Sequence, residues 1–288
     1  MSPGDAVIHV VISTIMVFVV IVTLYPFYYI AISSISDPFE LSKKIGIMLL
    51  PQGLSMASYE EVFRYQLIWT AYGNTIIYVV AGTAINLVLT VMAAFALSRR
   101  GLKGAGLIMK LIVFTMFFNG GMVPTYVIVD SLGMVNTRWA MLVPLAINAY
   151  NFIILRTAFG AIPVELEEAV TIDGGNYFHV FRHVIIPLAM PSIMVIGLYY
   201  AVGHWNTYFS ALLYLRSNRL YPLQIVLRNI LIQSGGDQMA GDSTFASQYL
   251  AQTVKYAVIM VATIPIIMIY PFIQRFFVKG IMIGSIKG

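Results

Sequence analysis

The chain has 288 residues, of which 59% are hydrophobic and only 10% charged, against about 25% charge in an ordinary soluble domain. With a mean hydropathy of +0.85, a water-soluble enzyme and a disordered chain are both excluded. Cysteine is absent and the net charge is +5. Disulfides, thiolate metal sites and cysteine nucleophiles are therefore ruled out. No run of five or more basic residues points to nucleic acid.

The apolar residues fall into six stretches. A bilayer core about 30 Å thick needs about 20 apolar residues of helix. Stretches at 7–32, 71–97, 107–129, 139–155, 185–202 and 256–277 meet or approach that length. The first is interrupted by Pro26 and the fourth is short. All are too evenly apolar for the alternating segments of about ten residues that build a membrane barrel. The fold class expected is an all-α integral membrane protein with six transmembrane helices, a single membrane domain over 1–288. Ala31-Ile32-Ser33 resembles a signal cleavage site. The apolar run before it is about twice the length of a signal core and follows no Lys or Arg, so a retained helix is expected.

Charge orients the spans. The short loop after the second carries Arg99, Arg100 and Lys103, whereas the short loop at 130–138 has one Asp and one Arg. The positive-inside rule puts Arg99 in the cytoplasm, and six spans put both termini there with it. Arg275, Lys279 and Lys287 in the tail agree. Lys43, Lys44, Arg216 and Arg219 fall on the two long outer loops, at about 34–65 and 203–255, and long loops translocate largely regardless of charge.

Several chemistries lack their residues. There is no G-x-x-x-x-G-K-[ST] phosphate loop, and Gly101, Gly104 and Gly106 read as a turn. No H-E-x-x-H occurs. His179 and His183 share a helix face without a third ligand, and the Gly/Asp run at 235–243 lacks an EF-hand ligand set. No metal site is expected. No ionisable residue falls clearly at mid-membrane, where ion-coupled transporters usually carry one. Energy for any active transport would come from another chain.

The expected cytoplasmic loop at 156–184 is the most informative segment. Ile162-Pro163 opens a helix, and Glu165, Glu167 and Glu168 crowd the positive end of its dipole. The helix stops at Gly174-Gly175 after about 10 residues, or ~15 Å. A second amphipathic stretch with Phe178, Phe181 and Ile185 runs on to Pro187 and Pro191. A docking knob for another protein and a solvated connector both fit these residues.

Glu168-Ala169-Val170-Thr171-Ile172-Asp173-Gly174-Gly175, then Phe181, then Ile186-Pro187-Leu188 and Pro191, resembles the EAA loop of ABC-importer permeases. Val170 and Gly175 stand where that pattern usually has Ala, and Val184-Ile185-Ile186-Pro187 stands for its I-x-L-P end. Asn74-Thr75-Ile76, Ala96-Leu97-Ser98-Arg99 and the tail from Gln274 to Gly288 are similar to the carbohydrate branch, in particular to the maltose-type second permease subunit. The stretch from Phe118 to Tyr126, with Val202-Gly203-His204-Trp205-Asn206, resembles the LplC/YtcP group of oligosaccharide permeases. Some members of that group import uronate-containing fragments of alginate or pectin.

The resemblance implies a type I ABC-importer permease fold and a multi-pass subunit of the bacterial cytoplasmic membrane. It implies four kinds of partner beside lipid: a second homologous permease, two ABC ATPase subunits that bind ATP and Mg, an extracytoplasmic solute-binding protein and the oligosaccharide itself. This chain would hold no cofactor and catalyse nothing. Glu165, Glu168, Ala169, Asp173, Gly174, Gly175 and Pro187 would form the coupling element that docks on an ATPase. Lys279, Gly284 and Lys287, in the tail at 275–288, would reach the ATPase interface. Sugars are held by stacking and by amide and hydroxyl groups. The substrate-path candidates are therefore Asn119, Asn148, Tyr150, Asn151, Tyr199, Tyr200, His204, Trp205 and Asn206, with Tyr208 beside them. Each also suits the aromatic and polar belt found at any membrane interface. Alternatives are a permease for another sugar or small solute, an ion-coupled secondary transporter, for which no inverted repeat is visible, and a membrane scaffold, which would not need the acidic loop.

Overall fold

The computed structural model describes residues 3–99, 101–236, 249–250, 253–269 and 271, and among these every regular element is helical. In chain order they are α1 (Pro3–Ser34), α2 (Pro38–Lys43), α3 (Ala57–Arg64), α4 (Leu67–Ser98), α5 (Ala105–Phe117), α6 (Met122–Ser131) and α7 (Trp139–Leu142). There follow α8 (Ala149–Gly160), α9 (Glu165–Ile172), α10 (Tyr177–Val180), a π-turn (Phe181–Ile185), α11 (Ile186–Trp205), α12 (Phe209–Tyr214), α13 (Leu223–Gly236) and α14 (Thr253–Ile269). The described residues fall into two compact units, one drawn from Met1–Ile68 with Leu227–Pro265, the other from Trp69–Val226 with Ile266–Gly288.

In the first unit, α1 is apolar all round and its membrane-length window is 0% buried, as suits a helix whose solvent is lipid. The hydroxyls of Thr14 and Thr23 donate to carbonyls four residues back, at 2.8 Å each, which satisfies them without water. The helix runs through Pro26 to Ser34. Its end is tied to α3, and α3 to α14. Ser34 shares a hydrogen bond with Tyr59, and the buried Ser58 hydroxyl donates to Thr253.

In the second unit, two expected spans are broken. The stretch 107–129 is not one rod: α5 and α6 meet at 115°. Asn119 Oδ1 accepts the Gly121 N–H at 2.7 Å, and Gly121 takes a left-handed φ of 81°. That side-chain turn, opened to positive φ at glycine, makes the corner. The stretch 139–155 divides into α7 and α8, with Pro144 between them and Asn148 capping α8 by accepting the Asn151 N–H. The fifth stretch is longer than expected, continuous from Tyr177 to Trp205. Its π-turn lies directly before Pro187, and there the Ile186 N–H bonds five residues back to Phe181. The wider turn makes room for a proline that cannot donate.

The core of this unit forms where α4, α8 and α11 meet, around Ala94, Phe152, Leu155, Phe159, Ile185 and Ile196. At 32 residues, α4 is ~48 Å long. At every fourth position it carries Asn74, Tyr78, Gly82, Asn86, Thr90 and Ala94. Residues four apart are neighbours on a helix surface, and the row as a whole winds around the axis, a largely polar stripe on an otherwise apolar span. At its first end, Asn74 donates to the carbonyls of Arg219 and Tyr221 and accepts from Arg138. Tyr78, 1% exposed, donates to the Leu220 carbonyl at 2.7 Å.

The two residues differ in what they leave behind. Tyr78→Phe orphans one carbonyl and should cost about 1 kcal/mol. Asn74→Ala orphans two carbonyls and an arginine contact and should cost about 2–3 kcal/mol. Thermal melting of the purified membrane complex should rank them in that order below the parent.

Candidate functional site

The middle of the α4 stripe forms one wall of a cavity of about 290 Å³. Asn86 donates from Nδ2 to the Leu145 carbonyl and presents Oδ1 to His204 Nε2, both at 3.0 Å. Since Oδ1 can only accept, the His204 proton sits on Nε2, an assignment that follows from the network. The ring is wedged as well as bonded: a Cβ at Gly82 would lie 2.3–2.8 Å from three of its atoms. One turn further on, the Tyr200 hydroxyl accepts the Asn148 N–H at 3.0 Å, which leaves it to donate to Thr90 at 2.8 Å. Two hydrogen-bonded pairs thus join α4 to α11, and each also reaches the 143–148 connection.

Of the residues expected on a substrate path, Asn148, Asn151, Tyr199, Tyr200 and His204 line this cavity. Asn119, Tyr150, Trp205 and Asn206 do not. Asn119 makes the α5–α6 corner. Tyr150 is exposed and Trp205 is buried beside Tyr72. Asn206 caps the end of α11 by donating to Val202. Tyr208 packs against the cluster around Tyr78. Sequence reasoning missed Asn86, Thr125, Thr207, Ser210 and Tyr214, which complete the polar part of the lining. Asn86 was legible in the four-residue stripe. The others were not, because their faces depend on the breaks at 118–121 and 206–208. The lining is uncharged: amides, hydroxyls, phenols and one imidazole among the apolar Ala140, Met141, Pro144 and Leu145.

A second site lies past the other end of α4. There α9 ends in a Schellman cap, with the Gly174 N–H on Thr171 O at 3.0 Å and the Gly175 N–H on Val170 O at 2.8 Å. Gly174 has φ of 80°, which favours glycine. The expected start at Pro163 is two residues early; the helix begins at Glu165, with no side-chain cap, so the glutamates of the first turn compensate the dipole by charge. Ile162 and Val170 pack on the core and Glu167 ion-pairs with Arg99, while Glu165, Glu168, Ala169 and Ile172 face outward. Asp173 is exposed at the C-cap, and Pro187 is exposed at the start of α11. A cavity of about 770 Å³ runs beside this loop, lined in part by Arg99, Pro163, Glu167 and Tyr177, with the exposed Glu165 and Glu168 at its edge.

The ion pair is only 12% and 17% exposed at its two side chains, and a pair so withdrawn from water needs further hydrogen bonds to be stable. Arg99 makes them, donating to the Phe159 carbonyl at 2.9 Å and to Ser98. Burial pulls its pKa below the ordinary arginine value, but arginine has reserve enough to stay charged. In return, Arg156 of α8 donates to the Leu97 carbonyl at the end of α4. Each helix end is thus capped by an arginine belonging to the other, and α9 is tied to both. Glu167, an unremarkable neighbour of Glu168 in the sequence, is part of this clamp. Lys279, Gly284 and Lys287 lie outside the described residues.

No protein-family model matches the chain. It is 42% identical over 271 residues to the polygalacturonan/rhamnogalacturonan transport system permease protein YtcP of Bacillus subtilis, covering 93% of this chain and 94% of that one. It is 40% identical over 267 residues to protein LplC of the same organism, covering 93% and 90%. Its fold matches a chain in a crystal structure of a bacterial ABC transporter involved in importing the acidic polysaccharide alginate. The TM-score is 0.84 at 32% identity, over 96% of this chain and 99% of that one. The chain belongs to the permease subunits of ABC sugar importers.

Val170 and Gly175, the two residues at which the loop of this permease departs from the pattern it resembles, touch one another. A Cβ at Gly175 would fall 2.5 Å from Val170 Cγ1 and 2.8 Å from the Val170 carbonyl. The methyl groups that valine adds occupy the place an alanine would fill at 175. Gly175→Ala should therefore strain the turn by about 1–3 kcal/mol. Adding Val170→Ala should recover the side-chain part, giving a favourable coupling in a double-mutant cycle followed by melting. At the cavity, Gly82→Ala should push the His204 ring off Asn86. Sugar uptake by the assembled importer should fall, while a His204→Ala background, with no ring to displace, should tolerate the same change.

Proposed function

We propose that this chain is the transmembrane permease of an ATP-driven, binding-protein-dependent importer for acidic, uronate-containing polysaccharide fragments. The reading is supported by two relatives whose own cargo is acidic, polygalacturonan/rhamnogalacturonan and alginate. The partners it calls for are a second permease, two ATPase subunits that bind ATP and Mg, and an extracytoplasmic binding protein. The proposed topology has six spans in the bacterial cytoplasmic membrane with both termini inside. The broken α5–α6 pair counts as one span, and the tail with Lys279, Gly284 and Lys287 lies against the ATPases. Supporting that placement, three described helices are long and apolar enough to cross a membrane, or four if the bent pair is one span.

The observation that carries the mechanism is the division of faces on α9. One face is clamped to α4 and α8 through Arg99, and the other presents Glu165, Glu168, Ala169 and Ile172, the last 84% exposed. An exposed face of two acids and an isoleucine on a rigid mount is what a docking element needs: the apolar contact supplies affinity and the charge fixes register. In this reading a push on α9 moves α4 as a rod. Asn86 and Thr90, ~12–18 Å along it, shift against His204 and Tyr200, and the cavity opens to the opposite side of the membrane. Its neutral polar groups offer the sugar exchangeable hydrogen bonds, not a tight trap.

The experiment separates docking from scaffold. Glu168→Lys places a cation where a partner cation is expected and should sharply reduce co-purification of the ATPase and oligosaccharide uptake, with little change in melting. Glu167→Lys breaks the Arg99 pair and should lower melting by an amount equivalent to about 2–3 kcal/mol. Full uptake and co-purification in Glu168→Lys would leave the loop a solvated connector.

A further inference from the structure

At the end of α4 remote from the coupling loop, three exposed arginines share one loop cluster. Arg138 donates to Asn74 Oδ1, and the same amide donates to the Arg219 carbonyl. Arg216 and Ser217 donate their backbone N–H groups to Asn136 Oδ1, while Asn136 donates its own to the Tyr214 carbonyl. Asn136 adopts a φ of 59°, and asparagine is among the few non-glycine residues that accept that conformation. The loop at 216–219 is therefore placed by backbone groups bonded to Asn136 and Asn74, and the Arg138 guanidinium adds one further bond to Asn74. Among the described residues none of Arg138, Arg216 and Arg219 is in an ion pair, and Asp130, the nearest acid in sequence, pairs with none of them.

Two further observations give the cluster a direction. Arg216 donates to the Tyr126 hydroxyl at 3.3 Å, and the Tyr126 ring lies nearly parallel to that of Tyr214, with centroids 6.1 Å apart. Tyr214 in turn lines the neutral cavity, as does Thr125, the neighbour of Tyr126. A chain of contacts thus links the arginines, through an aromatic pair packed in a small core, to the chamber wall. The cluster and the coupling loop also sit at opposite ends of a helix long enough to cross a bilayer. Among the described residues the three have no carboxylate partner, so they present positive charge that an anionic partner would complement.

We propose that Arg216 and Arg219, with Arg138 behind them, form an entrance filter that receives the carboxylates of an acidic saccharide and hands its rings past Tyr126 and Tyr214 into the cavity. Guanidinium matches carboxylate in a planar, two-point fork, and the apolar face of a sugar ring lies well against a phenol ring. The charge is confined to the mouth, so the acid is drawn in without being held at the chamber. This inference rests on the importer reading given above, and on its acidic cargo in particular.

The test uses the complete importer, with both permeases, both ATPases and the binding protein, in vesicles of neutral phosphatidylcholine, with trigalacturonate as the probe. Removing both charges in an Arg216→Ala, Arg219→Ala variant should lower uptake of trigalacturonate at sub-saturating concentration by about tenfold. The binding-protein concentration giving half-maximal ATP hydrolysis should not move. The Arg216→Lys, Arg219→Lys variant should retain most of the uptake. If the half-maximal binding-protein concentration shifts together with uptake, the arginines meet the binding protein and the filter is wrong. Equal losses in the Lys and Ala variants would make the cluster a scaffold, and unchanged uptake would leave it without a part in transport; either overturns the proposal. If the variants differ from the parent only when anionic lipid is added, headgroups are the partner and the filter is again wrong. A parent importer that carries neutral oligosaccharides and refuses trigalacturonate removes the acidic cargo and the filter with it, whereas a parent that carries it beside unaffected variants removes the filter alone.

Discussion

Lipid offers no hydrogen bonds, so a polar group that enters it needs a partner inside the protein, and in the second unit that requirement is met along a row that winds around α4, although the buried Thr83 hydroxyl beside it makes no hydrogen bond. Asn74, Tyr78, Asn86 and Thr90 each point at a partner on another segment, and Gly82 leaves room for the imidazole that Asn86 holds. Without those partners each of these side chains would be a liability in a membrane. With them, the helix fixes the loops at one end, a cavity wall in the middle and a core at the other end. The breaks in α5–α6 and α7–α8 are tolerable for a related reason: Asn119 and Asn148 take up backbone N–H groups that the interrupted helices leave free.

Past the membrane-spanning part of α4 the logic becomes one of charge. A half-buried arginine that bonds a glutamate, a carbonyl and a hydroxyl has little freedom left, and the reciprocal bond from Arg156 makes the joint double. α9, which could not be stable alone at eight residues, becomes a fixed projection of α4 and α8 behind it. Of its three acids only Glu167 is engaged with Arg99, and Glu165 and Glu168 stay exposed.

Much of this was legible from composition and pattern. The helical class followed from apolar run length, and the loop at 165–175 from three glutamates, two glycines and a proline, because caps and breakers act locally. What escaped was set by contacts between distant segments. Glu167 and Glu168 are chemically identical neighbours, and only the position of Arg99 distinguishes the clamp from the exposed face. Trp205 and Asn206 look like a sugar site in sequence, but the end of α11 turns one into the interior and uses the other as a cap. The stretches 107–129 and 139–155 read as continuous spans because hydropathy averages over a corner that Asn119 and Gly121 make in four residues, and over a gap opened at Pro144.

The prolines of α11 have a mechanical consequence. Pro187 and Pro191 are four apart, so the Pro187 carbonyl finds no amide at the position where a regular helix would supply one, and the turn before it is already widened to π geometry. Between α9 and His204, the chain therefore contains a compliant joint, whereas α4 covers the same distance without a proline. Equal displacements applied at the ends of these two helices nearest α9 would arrive unequally at the cavity, the rod advancing while the jointed helix yields. The difference would appear as sliding of Asn86 and Thr90 past His204 and Tyr200, so that a push along the membrane normal is converted into shear at the chamber wall.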